Sequence, residues 1–140
     1  MNMDPSTKTY TALGLVFLAL FEFWAVMQIF GKTGKPGRHA RNLLRLHRIG
    51  GYIFLVYFIW ISWICVDLMD RLASAGRPLD VRGFFHGFLA MVLFAVLLLK
   101  ISFIRFYRKY RPYVPLLGMI VAAGTLVLWG IAGWMFLILM

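Results

Sequence analysis

The stretch from Phe84 to Ile104, FFHGFLAMVLFAVLLLKISFI, decides what kind of protein this is. Lys100 is its one charged residue, near one end. A run of this kind meets the requirement of about 20 apolar residues for a helix to cross a hydrocarbon core about 30 Å thick. Three more runs of similar character extend from Thr11 to Phe30, from Ile49 to Val66 and from Tyr113 to Leu139. Lipid offers no hydrogen bonds, so a chain crossing it must satisfy its own backbone groups, and these runs are expected as helices. Composition agrees: the 140 residues are 62% hydrophobic, with a mean hydropathy of +0.82, whereas a soluble domain is roughly half apolar. The expected fold is all-α, one integral membrane domain over residues 1–140. Its four antiparallel transmembrane helices, at about 11–30, 46–68, 82–105 and 113–139, form an up-and-down bundle because the connections are short.

Breaks fall between the runs. Gly31, Gly34, Pro36 and Gly37 follow the first, Gly76 and Pro78 the second, and Pro112 with Pro115 interrupts the start of the fourth. The first run lacks a preceding basic region and a small-residue cleavage site, and it carries Glu22, so it reads as a helix and not as a secretory signal. Cys65 is the single cysteine; it excludes an internal disulfide and a cysteine-based zinc or iron–sulfur site within the chain. No internal repeat or soluble domain is present, and no nucleophile–base constellation, phosphate loop or metalloprotease pair supports hydrolase or kinase chemistry.

A net charge of +10 would suggest nucleic acid in a soluble protein, but the placement of the charges argues for a membrane. Lys32, Lys35, Arg38, Arg41, Arg45 and Arg48 crowd the first connection, and Lys100, Arg105, Arg108, Lys109 and Arg111 the third. The other four, Lys8, Arg71, Arg77 and Arg82, lie towards the opposite face, in company with Asp67, Asp70 and Asp80. The positive-inside bias then puts the first and third connections in the cytoplasm and both termini outside. Anionic lipids are the expected partners of the basic loops, nucleic acid is not, and the expected location is a prokaryotic inner (cytoplasmic) membrane. Trp60, Trp63 and Trp134 towards the outer boundary, and Tyr107, Tyr110 and Tyr113 at the inner one, are suited to interfacial anchoring.

Polar groups at membrane depth are costly and tend to mark sites. Two are histidines, the residue type that ligates b-type haem. His47 stands in RLHRIGG (residues 45–51), with Gly50 and Gly51 on its helical face leaving room for a flat macrocycle, and Arg45 and Arg48 placed for propionates. His86 stands in RGFFHG (residues 82–87), with Arg82 and Gly83 one turn away. The two lie about 25 Å apart along the bilayer normal at 1.5 Å per residue, so they cannot share one iron. Second ligands would come from a homodimer mate, from another subunit, or from His39 or Met119 at the inner face and Met69 or Met135 at the outer. Glu22, near the centre of the first run, has no cation at matching depth; protonation, a hydrogen bond or a partner across a subunit interface is expected, and a proton or quinone site is one reading of it. Lys100 is expected to snorkel to the headgroups. Gly118, Gly124, Gly130 and Gly133 mark a smooth strip on the fourth helix, suited to packing.

One histidine at the inner end of one helix and one at the outer end of the next, each beside glycines and arginines, resembles the cytochrome b561 type of membrane haem protein. In that family four helices carry paired histidines, with one haem near each face. The resemblance, carried by residues 45–51 and 82–87, implies a membrane-embedded electron-transfer subunit with haem b. Electrons would pass between a quinone pool or partner redox protein and the opposite membrane face, at most as the cytochrome subunit of a respiratory-chain oxidoreductase complex. Helices one and four contain no histidine. Two other functions also fit the sequence: a non-redox accessory subunit of a larger membrane complex, and a small transporter or channel centred on Glu22.

Overall fold

The computed structural model describes residues 5–30, 38–76 and 81–134. Four helices form an all-α bundle, each long and apolar enough to span a membrane. They are α1 (Pro5–Phe30), α2 (Arg38–Ser74), α3 (Val81–Arg105) and α4 (Val114–Trp129). A 3₁₀ turn at Arg108–Tyr113 leads into α4, and a π-helical turn at Gly130–Trp134 follows it. The expected breaks at residues 31–37 and at Arg77, Pro78 and Asp80, and the end of the fourth run from Met135 onward, lie outside the described residues, as does the Trp134 side chain.

Two helices are longer than their apolar runs. α1 starts at Pro5, a residue whose fixed φ and missing N–H suit the first turn of a helix. α2 has 37 residues, about 55 Å at 1.5 Å rise per residue, so it outruns the hydrocarbon by several turns. Its N-terminal turns carry His39, Arg41 and Arg45, good or neutral helix formers that hydropathy does not count. It ends where Gly76 takes a left-handed backbone, φ +69°, the usual geometry just beyond a helix C-terminus. Pro112 lies within the 3₁₀ turn and Pro115 in the first turn of α4, where the absent N–H costs no helical hydrogen bond.

α1 packs along both α2 and α4, and α3 along α4, while the backbones of α2 and α3 stand further apart. Large side chains close that last seam: Phe58 and Phe94 stack at 6.2 Å with planes 4° apart. Lipid tails are as apolar as leucine, so helices associate through close packing and not by escaping water. The core is accordingly small, comprising Leu15, Ala19, Phe54, Phe58, Leu93, Leu97, Val121 and Leu128. Large apolar side chains such as Phe17, Trp63 and Met91 face outward. Tyr107, Tyr110 and Tyr113 are exposed at the basic end, and Trp60 and Trp63 towards the other.

Glycine notches set the register. The Tyr57 hydroxyl lies over Gly14, where an added Cβ would come within 2.8 Å of it, and donates to the Thr11 carbonyl at 2.6 Å. The Leu93 side chain fills the notch at Gly124. Gly14, Tyr57, Leu93 and Gly124 thus mark the middle of the bundle. Eight residues along α1 from Gly14, Glu22 meets Gly50, seven residues back along α2 from Tyr57.

Candidate functional site

That register moves Glu22 away from the bilayer centre. It lies about 12 Å from the level of Gly14, taking eight residues at 1.5 Å each, and therefore in the basic third of the bundle. The expectation that Glu22 has no cation at its depth is corrected here: its carboxylate forms an ion pair with Nδ1 of His47. Placing helix one at residues 11–30 put Glu22 near mid-membrane; the actual start at Pro5, together with the Tyr57–Gly14 contact, carries it to the level of His47. The two carboxylate oxygens and Nδ1 make no hydrogen bond to any other group among the described residues, so each side chain is the other's ion-pair partner. The paired atoms themselves are buried, while the two side chains as wholes keep 12% and 19% exposure respectively.

Gly50 is what lets the acid in. A Cβ there would fall on the Glu22 carboxylate, so the notch expected to face a macrocycle is occupied by Glu22. Gly51 meets nothing within 4 Å and lines a cavity of about 70 Å³ shared by all four helices. Glu22, His47 and Lys100 are its titratable members, among apolar walls that include Phe23, Phe54, Leu97 and Met119. Lys100 is half-buried, lies close enough to Glu22 to interact with its charge, and has its Nζ 3.5 Å from where a Gly118 Cβ would stand. The expectation that it snorkels outward missed this placement. Its three-residue spacing from Leu97, itself in the core, is the signal that puts it on the inward face.

Towards the acidic end the cavity is closed. Leu15, Phe58, Leu93 and Leu128 are buried there, and Thr125 donates to its own helix at Val121 O, 2.7 Å. His86 lies beyond this plug, fourteen residues from Lys100 or about 21 Å along α3. Its imidazole interacts with the backbone of Leu128, and its Nδ1 is buried without a geometrically sound hydrogen bond among the described residues. Met69 packs its methyl against Gly87, beside His86. The structure thus separates the two histidines, as the sequence required.

The residues present do not fit a haem within one chain. A buried water needs roughly 10–15 Å³ of such space, so 70 Å³ holds a few waters and no porphyrin. Met119 shares the cavity with His47, but the space between them does not admit a macrocycle. His39 is exposed near the start of α2, about 12 Å along the helix from His47, and Met135 lies outside the described residues. Arg45, Arg48 and Arg82 are exposed. No group of three or more His, Cys, Asp or Glu side chains is gathered for a metal among the described residues. Of the strip on α4, Gly118 and Gly124 face α3 side chains, and Gly130 meets nothing within 4 Å.

What the arrangement can do is acid–base chemistry in a low-dielectric site. Glu22 holds Nδ1 of His47, which orients the ring and turns Nε2 away from the acid, and Lys100 adds an amine to the same cavity. Comparison with curated proteins and with solved structures gives no match. The chain belongs to the family described as a family of unknown function (DUF6529), which it matches over residues 2–139.

Proposed function

We propose that the protein is a membrane subunit of a quinone-linked electron-transfer system, and that its own site exchanges protons with the head of the carrier. The observation that carries this is the Glu22–His47 ion pair beside Lys100 in an otherwise apolar cavity. An intramembrane titratable cluster is a functional site by default. The apolar plug at Leu15, Phe58 and Leu93 argues against a channel, because among the described residues protons reaching the cluster meet apolar side chains on the way onward. Phe23 and Met119 line the cavity and are also exposed on the bundle surface, which suits access by a lipid-dissolved molecule. A quinone gaining two electrons takes up two protons, and a quinol releases them on oxidation. The electrons belong to a redox partner; Lys100 and His47 exchange the protons and hold the head.

Infrared difference spectroscopy of the full chain in liposomes tests this, comparing mildly acidic with mildly alkaline buffer and adding a short-chain naphthoquinone. The expected result is a carboxyl band lost in Glu22→Gln, perturbed by the quinone in wild type and unperturbed in His47→Gln. A transmembrane proton current, or a Glu22 band indifferent to quinone, overturns the proposal.

One feature favours a second reading, the haem-carrying subunit. A carboxylate on Nδ1 is how metal-ligating imidazoles are commonly held. Since one chain does not fit the group, this reading needs a homodimer mate or another subunit to supply space and ligands. Reduced-minus-oxidised spectra and a pyridine haemochrome assay on wild type, His47→Ala and His86→Ala decide it. Haem bands that weaken in a variant uphold it, and their absence from every preparation ends it.

A further inference from the structure

The seam between α2 and α3 carries a second feature, unconnected with the cavity. At its basic end an Nη2–H of Arg105 donates to the Tyr52 hydroxyl at 2.6 Å, and the guanidinium sits 5.9 Å from the Tyr52 ring centroid. Both residues are exposed, yet these two contacts hold a long side chain in one place. The carboxylates on the described residues of the spanning helices are Glu22, paired with His47, and Asp67 and Asp70. The latter lie on α2 fifteen and eighteen residues beyond Tyr52, more than about 20 Å along the helix. Arg105 therefore has guanidinium N–H groups to offer, and the one described acid near its level, Glu22, is taken by His47. Arg48 precedes Tyr52 by one helical turn on the same face of α2, so two guanidinium groups stand at the same end of this face.

Directly below, a shallow groove of about 450 Å³ runs along α2, lined by Tyr52, Ile53, Val56, Tyr57 and Trp60. It is almost wholly apolar. Its length, eight residues or about 12 Å, points from the cationic pair towards the bilayer centre. Tyr57 and Trp60 stack at 5.7 Å and form its far end, while Val56, 67% exposed, forms its floor. A fixed cation at headgroup depth, continuous with an apolar trough entering the hydrocarbon, has the two halves of an amphiphile's shape.

We propose that this face is a specific site for an anionic phospholipid, with its phosphate held by Arg105 and Arg48 and one acyl chain lying in the groove against Trp60. Guanidinium forks match phosphate oxygens, and Tyr52 orients one of them in advance. This goes beyond the general attraction of basic loops for a charged surface, because it requires these residues and this groove.

The test uses the full chain in detergent micelles, titrated with phosphatidylglycerol or phosphatidylcholine bearing brominated acyl chains. Quenching assigned to Trp60 is read as the difference between wild type and Trp60→Phe. Phosphatidylglycerol is expected to quench saturably and at least about tenfold more tightly than phosphatidylcholine, the scale of one charge-assisted hydrogen bond. Arg105→Gln and Val56→Phe, the second of which fills the groove without touching charge or adding a tryptophan, are each expected to remove that preference. Arg108→Gln, at the same end but off the groove, is expected to keep it. Equal quenching by the two lipids, or a loss in Arg108→Gln matching that in Arg105→Gln, overturns the proposal in favour of unspecific surface charge. So does inorganic phosphate displacing the lipid at concentrations comparable to those of the lipid itself.

Discussion

At the scale of the residue, the site depends on what is absent from Gly50. A methyl group there would occupy the position of the Glu22 carboxylate, and overpacking of this kind costs about 1–3 kcal/mol. Gly50→Ala is therefore expected to lower the unfolding midpoint in detergent and to abolish the Glu22 infrared band. Gly51→Ala, in open space, is expected to stay within about 0.5 kcal/mol of wild type. The ion pair is tested by a double-mutant cycle. Removing Glu22 or His47 alone leaves the other group unpaired at about 3 kcal/mol, so Glu22→Ala with His47→Ala together is expected to cost clearly less than the sum. Strict additivity in reversible unfolding would mean that the two side chains do not act as a pair.

At the scale of the element, the helices are held by notches that another side chain fills. Gly124 receives Leu93, so Gly124→Ala is expected to push α3 from α4 and destabilise the fold by about 1–3 kcal/mol. Leu93→Ala in the same chain is expected to restore part of the loss, as seen in unfolding midpoints. α2 ends on a different principle. Gly76 has φ +69°, a conformation that a side chain disfavours by about 1 kcal/mol, and Gly76→Ala should cost roughly that while leaving the site untouched. The helix positions were readable from hydropathy because each run answers to the same bilayer thickness. The ends of α1 and α2 were not, since turns outside the hydrocarbon follow helix propensity and capping, which hydropathy does not register.

At the scale of the molecule, charge is asymmetric. The described ends of α1 and α2, of α3 and of α4 at one face carry Arg41, Arg45, Arg48, Arg105, Arg108, Lys109 and Arg111, while Asp67 and Asp70 lie at the other, Asp67 paired with Arg71 at 2.8 Å. The positive-inside bias predicts that the basic face is cytoplasmic. With Cys65 replaced by alanine, a cysteine at Arg111 should react with a membrane-impermeant maleimide only after cells are opened, and one at Ser74 in intact cells. The reverse pattern would invert the topology and place the Glu22 cavity towards the outside.

The sequence by itself determined that this is a membrane protein, how many helices span, and which connections are basic. These are local properties: every apolar run meets the same lipid and the same thickness, whatever its neighbours do. It also singled out His47, His86 and Glu22, because polar groups in apolar runs stand out. Only the tertiary structure decided that Glu22 and His47 are one site with Lys100, and that His86 is apart from it. α1 is apolar on every side, so nothing in its periodicity says how deep it sits. Its depth comes from Tyr57 lying across Gly14 and Glu22 entering the notch at Gly50, contacts between residues far apart in the chain that exist only once the helices have packed.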